Sequence, residues 1–267
     1  MLKRVILKVG GSVLAKLPKN FYRTVVALKN ANICDPIIVH GGGPEINQVL
    51  TKSHVESTFV EGLRVTTKEI LHVAEMVMSG SINKQVVTNL KKAGGEAVGL
   101  SGVDGSLLEA TPVDSSGNLG FVGRVSKVNE SLLTLIMKQG MIPVISPIGM
   151  DDSGQHYNIN GDMAASAVAS ALKGKLVFVS DIPGVMEIVD GNPIVHKKLA
   201  EQEIYKMIDS GVIYGGMIPK VRSAMNALSA GVEESMIING LTPTDLKEYL
   251  EGNEVGTKIT TGEVRHV

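Results

Sequence analysis

The chain of 267 residues is 43% hydrophobic and 20% charged, carries 30 glycines and one cysteine, and has no Trp. A chain of this length buries a substantial core and allows one large domain or two lobes. Its formal net charge of -1 excludes capture of nucleic acid or an anionic membrane by bulk electrostatics, so a bound anion must be met by local groups. The lone Cys34 excludes an intrachain disulfide, fits a reducing compartment, and beside an apolar run reads as a core residue. The N-terminus lacks the apolar region and cleavage site of a signal peptide, and no window approaches the ~20 apolar residues of a membrane span. A cytoplasmic protein is expected.

Val5 to Val9 is a short apolar run with one charge, Lys8, ending in Gly10-Gly11-Ser12. It reads as a buried parallel strand, where a lysine is costly unless its ammonium emerges at the strand end toward an anion. The alternative is a lysine snorkelling from an edge strand; the adjacent glycines, which let a ligand approach the backbone, favour the first. After a helix over Phe21 to Asn30 comes the strand Pro36 to His40, then Gly41-Gly42-Gly43-Pro44, then a helix from Glu45 to Lys52 with Pro44 at its first position. Strand, glycine turn and helix together point free N–H groups at an anion. Neither phosphate-binding fingerprint, G-x-x-x-x-G-K-[ST] or G-x-G-x-x-G, occurs.

Phe59 to Val65 reads as a turn between short strands, and Thr66 with Glu69 as the capping box of a helix running from Thr67 to about Lys92. Arg64, just ahead of it, either grips a carboxylate with its planar fork or makes an ordinary surface ion pair. Ile70, Val73 and Val77 form one apolar row on the helix and Leu71, Met78 and Ile82 a second. Two rows exceed one sheet contact and suggest a subunit interface. Val98 to Ser101 follows as a strand, and two strands within Leu107 to Val125 flank a polar tip at Asp114 to Asn118. A helix over Glu130 to Gln139 and a strand over Ile142 to Ser146 come next.

The next stretch, His156 to Leu172, is the centre of the chain. Asn158, Asn160 and Asp162 alternate as in a strand and lead into a helix of Ala, Ser and Val small enough to lie close on a sheet. Asp162 is either that helix's N-cap or a group held in a site at its positive end. Lys175 to Ser180 is another buried strand, and Asp181-Ile-Pro-Gly184 behind it is either a plain turn or a loop over the sheet edge where ligands bind. A hairpin turns at Gly191-Asn192-Pro193, and Glu203 to Ser210 is helical. Gly215-Gly216-Met217-Ile-Pro219-Lys220 opens a helix whose buried face is Val221, Ala224, Met225 and Leu228. Lys220 is a cation at the positive end of that helix, a cost that a bound phosphate reverses. Ser235 to Ile238 and Thr244 to Glu251 are a strand and a helix, Gly256 to Ile259 closes the fold, and the tail Thr260 to Val267 reads as a disordered end.

Taken together, Lys8-Val-Gly10-Gly11, His40-Gly-Gly42-Gly43, Gly62-Leu-Arg64-Val-Thr66, Asn158-Ile-Asn160-Gly-Asp162, Ser180-Asp181 and Gly216-Met-Ile-Pro-Lys220 closely resemble the amino acid kinase family, from the first strand to about Ile259. Each motif is weak alone, and six in order are specific. The resemblance implies an α/β fold, a three-layer αβα sandwich on a mainly parallel open sheet, with two lobes sharing it. Residues 1–173 would bind the acyl amino acid and dimerise, and residues 174–267 would bind ATP. The G-L-R-V-T segment points to the members acting on N-acetyl-L-glutamate rather than to glutamate 5-kinase, aspartokinase or uridylate kinase. Kinases for a carrier-linked 2-aminoadipate and non-catalytic amino-acid sensors of the same fold are the alternatives; a sensor would be expected to lack Lys8, Asp162 or Lys220.

The implied reaction moves a phosphoryl group from ATP to a side-chain carboxylate. By resemblance, Lys8 and Lys220 flank the transferring group, Asp162 holds both ammonium groups, and Mg²⁺ bridges the phosphates with no protein ligand assigned to it. Gly10, Gly11, Gly42 and Gly43 offer N–H groups to phosphoryl oxygens or the acyl amino acid. Arg64, Asn158 and Asn160 hold the acyl amino acid. The nucleotide falls to Asp181, Gly184, Val185 and Met186 and to Gly215, Gly216 and Met217. His40 is read as structural. Members of the family inhibited by arginine carry an extra N-terminal helix that joins dimers into a hexamer. Too few residues precede the Lys8 strand for that helix, so a homodimer insensitive to arginine is expected.

Overall fold

A computed structural model describes residues 2–114, 116–232 and 234–262. Its strands in chain order are β1 (Lys3–Val9), β2 (Cys34–His40), β3 (Phe59–Val60), β4 (Leu63–Arg64), β5 (Ala97–Ser101), β6 (Leu108–Pro112), β7 (Val122–Val128), β8 (Ile142–Ser146), β9 (Ile148–Met150), β10 (His156–Ile159), β11 (Lys175–Ser180), β12 (Met186–Val189), β13 (Asn192–Val195), β14 (Lys198–Ala200), β15 (Ser235–Asn239) and β16 (Thr257–Thr260). The α-helices are α1 (Gly11–Leu14), α2 (Lys19–Asn30), α3 (Gly43–Lys52), α4 (Lys68–Glu75), α5 (Asn83–Lys92), α6 (Glu130–Lys138), α7 (Gly161–Leu172), α8 (Glu201–Asp209), α9 (Met217–Ser229) and α10 (Thr244–Glu251).

One eight-stranded sheet in the order β14-β16-β15-β11-β1-β2-β8-β5 organises the chain. Its strands are parallel from β15 to β5, and β16 pairs antiparallel with β15, carrying β14 with it. Strand period two splits β1 between two cores. Val5, Leu7 and Val9 pack with α2, α5 and α10 on one face, and Ile6 packs with α6, α7 and α9 on the other. That is the three-layer sandwich expected. Both cores draw on strands from either side of Lys173, for example Val5 with Val179 and Ile37 with Phe178. β10, β7, β6 and β9 close into a small barrel beside the sheet, and β3–β4 and β12–β13 are hairpins.

Several local expectations need correction. Thr66 does not cap the helix; Thr67 does, its Oγ1 accepting from the Ile70 amide at 3.2 Å. Thr66 is drawn into a bridge beside Gly120, whose φ of +64° leaves room where a Cβ would lie 2.3 Å from the Thr66 carbonyl oxygen. The helix from Thr67 to Lys92 is not uniform: Met76–Ile82 is a π-helical segment between α4 and α5. Its widened turn carries Ser79 to the Ser146 hydroxyl at 2.7 Å, and such segments recur at functional sites. Both apolar rows of this helix, Ile70, Val73 and Val77 and Leu71, Met78 and Ile82, are buried within the single chain. They therefore do not call for a partner subunit. Pro44 is the second residue of α3, not the first, and the four-residue α1 was not expected. The tail begins by completing β16 at Thr260, and the reading of its end as disordered falls, from residue 263 on, outside the described residues.

Candidate active site

The carboxyl ends of β1, β2 and β11 lie side by side in the sheet, where strands leave for opposite edges; open α/β sheets bind ligands there. A cleft of about 290 Å³ opens at this edge. Lys8, Gly10, Gly11, Gly42, Gly43, Arg64, Asn158, Asn160 and Asp162 all line it, together with Ser12, Phe59 and Met78.

Close packing shapes the glycine turns. A Cβ on Gly11 would meet Pro44 Cδ at 2.8 Å and the Gly43 nitrogen at 3.2 Å, and one on Gly42 would meet Ile82 Cδ1 at 2.7 Å and Met78 Cγ at 2.8 Å. The turns ahead of α1 and α3 thus touch each other and rest on the π-helical segment. The first amides of both helices have no partner within their own helix, and no side chain caps either one. His40 supports this floor from beneath. It is fully buried, its Nδ1 bonds the Gly41 carbonyl at 3.0 Å, and its Nε2 meets Asn83 Nδ2 at 3.3 Å. With Nδ1 protonated both contacts are satisfied, and burial pushes the imidazole pKa down to about 4. The reading of His40 as structural fits this setting.

Asn160, not Asp162, caps α7: its Oδ1 accepts from the Asp162 and Met163 amides at 2.8 and 3.3 Å. Asp162 is left free to face the cleft. Its Oδ1 lies 2.5 Å from Lys8 Nζ as an ion pair, without an aligned hydrogen bond, and its Oδ2 accepts from Ser223 Oγ at 2.8 Å. Asp162 was expected to hold both lysines; in the structure it pairs with Lys8, and Lys220 finds other partners. Lys220 donates to Ser180 Oγ at 2.7 Å and pairs with Asp181 Oδ1 at 3.3 Å. Lys220 lies at the carboxyl end of β11, so the acid that ends that strand meets it first. Asp181 also pairs with Lys16 at 3.4 Å. Partial burial works to raise the Asp181 carboxyl, but its own amide, Lys220 and Lys16 outweigh that and hold it below its ordinary value.

Arg64 is buried, yet among the described residues it has no acidic partner within 4.0 Å. Its guanidinium donates to the Ser57 hydroxyl and to the Gly43 carbonyl at 3.4 Å, and stacks 4.6 Å from the Phe59 ring centroid. The surface ion-pair alternative is thereby excluded. Burial pulls its pKa below the ordinary value, a desolvation cost that a bound carboxylate would offset. Asn158 is held by Thr66, with Nδ2 donating to Oγ1 at 3.1 Å.

The residues expected at the nucleotide do not line this cleft. Gly184 has φ +146°, and a Cβ there would meet Thr257 Oγ1 at 2.5 Å. Val185 is buried; its amide donates to Thr257 Oγ1 at 2.8 Å and its carbonyl accepts from the His196 amide at 2.9 Å. Both polar groups of its backbone are thus engaged within the fold. Met186 starts β12, Gly215 has φ +55°, Gly216 is the N-cap of α9, and Met217 is its first residue. Lys16 and Ser223 were missed, and Ser180 was quoted with Asp181 but given no role. Of the two missed, only Ser223 carried a signal, one turn beyond Lys220 on the same helix.

The model of the amino acid kinase family matches residues 3–239. The chain belongs to the amino acid kinase family. It is 56% identical over 263 residues to a protein of Oceanobacillus iheyensis named acetylglutamate kinase, covering 98% of this chain and 99% of that one. A Geobacillus kaustophilus protein of the same name is 50% identical over 258 residues, with 96% of each chain covered. Among solved structures, smu.665 from Streptococcus mutans superposes with a TM-score of 0.81 at 29% identity, covering 97% of this chain and 99% of that one. Carbamate kinase from Giardia lamblia bound to AMP-PNP gives 0.69 at 16% identity over 98% and 99% of the two chains, a likeness of fold alone.

Membership of the amino acid kinase family agrees with the fold expected from the order of motifs. For the site, the structure adds two separately anchored cations, Lys8 on Asp162 and Lys220 on Asp181. It also adds a buried arginine, Arg64, lining the same cleft as Lys8.

Proposed function

We propose that this chain transfers the γ-phosphoryl group of ATP to the side-chain carboxylate of N-acetyl-L-glutamate, giving N-acetyl-L-glutamyl 5-phosphate and ADP. The observation that carries the reading is Arg64, a buried cation without an acidic partner among the described residues, in one cleft with Lys8 and two glycine turns. The end-to-end similarity to proteins named acetylglutamate kinase supports it. The acceptor carboxylate is ionised at neutral pH, so no general base is required. The obstacle is one anion approaching another, which positioning and charge neutralisation lower. In this reading Arg64 and Asn158 hold the α-carboxylate and acetamido ends, with Asn160 beside them. The amides of Gly10, Gly11, Gly42 and Gly43 meet phosphoryl oxygens. Lys8 and Lys220 flank the group in transfer.

ATP lies, in this proposal, against residues 174–267, touching Asp181, Gly184, Met186 and Gly215 to Met217, with Val185 giving apolar contact. Residues 1–173 form the acceptor lobe. Among the described residues no group of three or more His, Cys, Asp or Glu is placed to hold a metal. In this proposal Mg²⁺ arrives on the nucleotide phosphates, where it would neutralise their charge. We also expect a homodimer working in the cytoplasm. No helix among the described residues is long and apolar enough to cross a membrane. Light scattering tests the dimer, for which the α4–α5 apolar rows no longer argue.

A coupled ADP-release assay tests the function, with N-acetyl-L-glutamate, glutamate, aspartate and carrier-linked 2-aminoadipate supplied separately. Turnover on N-acetyl-L-glutamate far above the others is expected. Preference for another acceptor, or no turnover at all, overturns the reading.

A further inference from the structure

Ser223 is a polar group at the site that no part of the proposed mechanism uses. It lies on α9 three residues past Lys220, and so on the same side of that helix. Helix serines commonly turn their proton back to a carbonyl of the preceding turn. Ser166 does so to Asp162 at 2.8 Å and Ser229 to Met225 at 3.3 Å. Ser223 instead leaves its helix and donates to Asp162 Oδ2 at 2.8 Å, 61 residues away on α7. The other oxygen of that carboxylate faces Lys8 at 2.5 Å. Asp162 is thus shared between the lysine of β1 and the helix that carries the second lysine. The carboxylate has one torsion that both contacts must satisfy, so losing the serine donor frees it to turn away from Lys8.

We propose that Ser223 is a positioning residue for phosphoryl transfer, acting through Asp162. Its hydrogen bond sets the rotation of the carboxylate that holds Lys8, and it ties the Lys220 helix to the Lys8 strand. The spacing of the two lysines is then fixed by two residues, Asp162 and Ser223, rather than by one carboxylate gripping both ammonium groups. This rests on the proposed phosphoryl transfer.

The test compares Ser223→Ala, Ser223→Thr, Asp162→Ala and the Ser223→Ala/Asp162→Ala double variant in the full chain. Kinetics are run with ATP and N-acetyl-L-glutamate, and thermal midpoints are recorded. Ser223→Ala should lower kcat about tenfold, the worth of one hydrogen bond to a charged group, with both KM values within about twofold. Ser223→Thr should restore most of the rate. In the Asp162→Ala background, removing the serine should cost nothing more, because the group it acts through is gone. Unchanged kcat in Ser223→Ala, failure of threonine to rescue, or an additive loss in the double variant would overturn the proposal. A wild type without turnover would overturn the functional reading and this one with it, whereas an active wild type with an indifferent Ser223→Ala overturns this one alone.

Discussion

Gly42 and Gly216 both precede a helix at the site, yet their surroundings differ. A Cβ on Gly42 would lie under 3 Å from Ile82 and Met78, whereas one on Gly216 would meet nothing within 4 Å. The difference extends to the two sides of the site. On the β1–β2 side the glycine turns are wedged against each other and the π-helical segment, and His40, Asn83 and Arg64 are buried. On the β11–α9 side Lys220 and Asp181 are each about one-third exposed, Tyr214 is 76% exposed, and polar ties take the place of packing. A small charged acceptor needs rigid, preformed donors, and packing supplies them. In the proposed function the nucleotide takes the other side, and a larger ligand that brings its own apolar surface asks less packing of the residues that meet it.

The largest effects expected concern the two lysines, one from each side. Lys8→Ala and Lys220→Ala should each lower kcat by roughly 10²-fold or more, and far more than they raise either KM, because their charge matters most as negative charge gathers between donor and acceptor. Steady-state kinetics on both variants measures this. Near-normal turnover of Lys220→Ala would remove the β11–α9 side from the chemistry altogether.

Arg64→Lys comes next and bears on the packed side alone. Lysine keeps the charge but loses the planar fork and the stack on Phe59. The KM for N-acetyl-L-glutamate should rise by about tenfold or more, while ATP affinity stays within twofold. Isothermal titration with each ligand separates them, and equal losses would mean that Arg64 supports the fold rather than the acceptor.

The glycine contrast gives a smaller effect, read as stability. Gly42→Ala forces its new methyl into the π-helical segment and should cost about 1–3 kcal/mol, the usual range for overpacking. Gly216→Ala has open space and a helical φ of -68°, and should change stability by about 0.5 kcal/mol or less. Urea titrations of the two variants compare them directly. Equal costs would mean that the packed and open sides are alike.

The packed side was also the more legible in the sequence. Lys8-Val-Gly10-Gly11 and His40-Gly-Gly42-Gly43 are local strand–turn–helix units, and their short-range geometry already aims the chain at the sheet edge. Asn158, Asn160 and Asp162 were legible for the same reason, one strand running into one helix. What escaped was set by contacts across the fold. Lys220 takes Asp181 rather than Asp162, Ser223 reaches over 61 residues, and Thr66 is pulled from capping by Gly120. No periodicity records such pairings. The π-helical segment was hidden too, since Met76 to Ile82 keeps an ordinary helical apolar pattern and only its seat under Gly42 reveals the widened turn.

The smallest effect expected belongs to Lys16, and it decides how the open side is held. Lys16 follows α1 at the carboxyl end of β1, and its ammonium pairs with Asp181 at 3.4 Å, across from Lys220 on the other oxygen. The arrangement mirrors Asp162, where one oxygen takes a lysine and the other a donor from the opposite side of the site. The two ties differ in exposure: the Lys16 side chain is 60% exposed, so solvent and salt screen the pair, and exposed pairs contribute little. Lys16→Met should therefore change kcat by about twofold or less, against about tenfold for Ser223→Ala, and raising the ionic strength should shrink even that difference. A loss at Lys16 as large as the one at Ser223, and insensitive to salt, would show that Lys16 meets the phosphates directly and that the open side is built as firmly as the packed one.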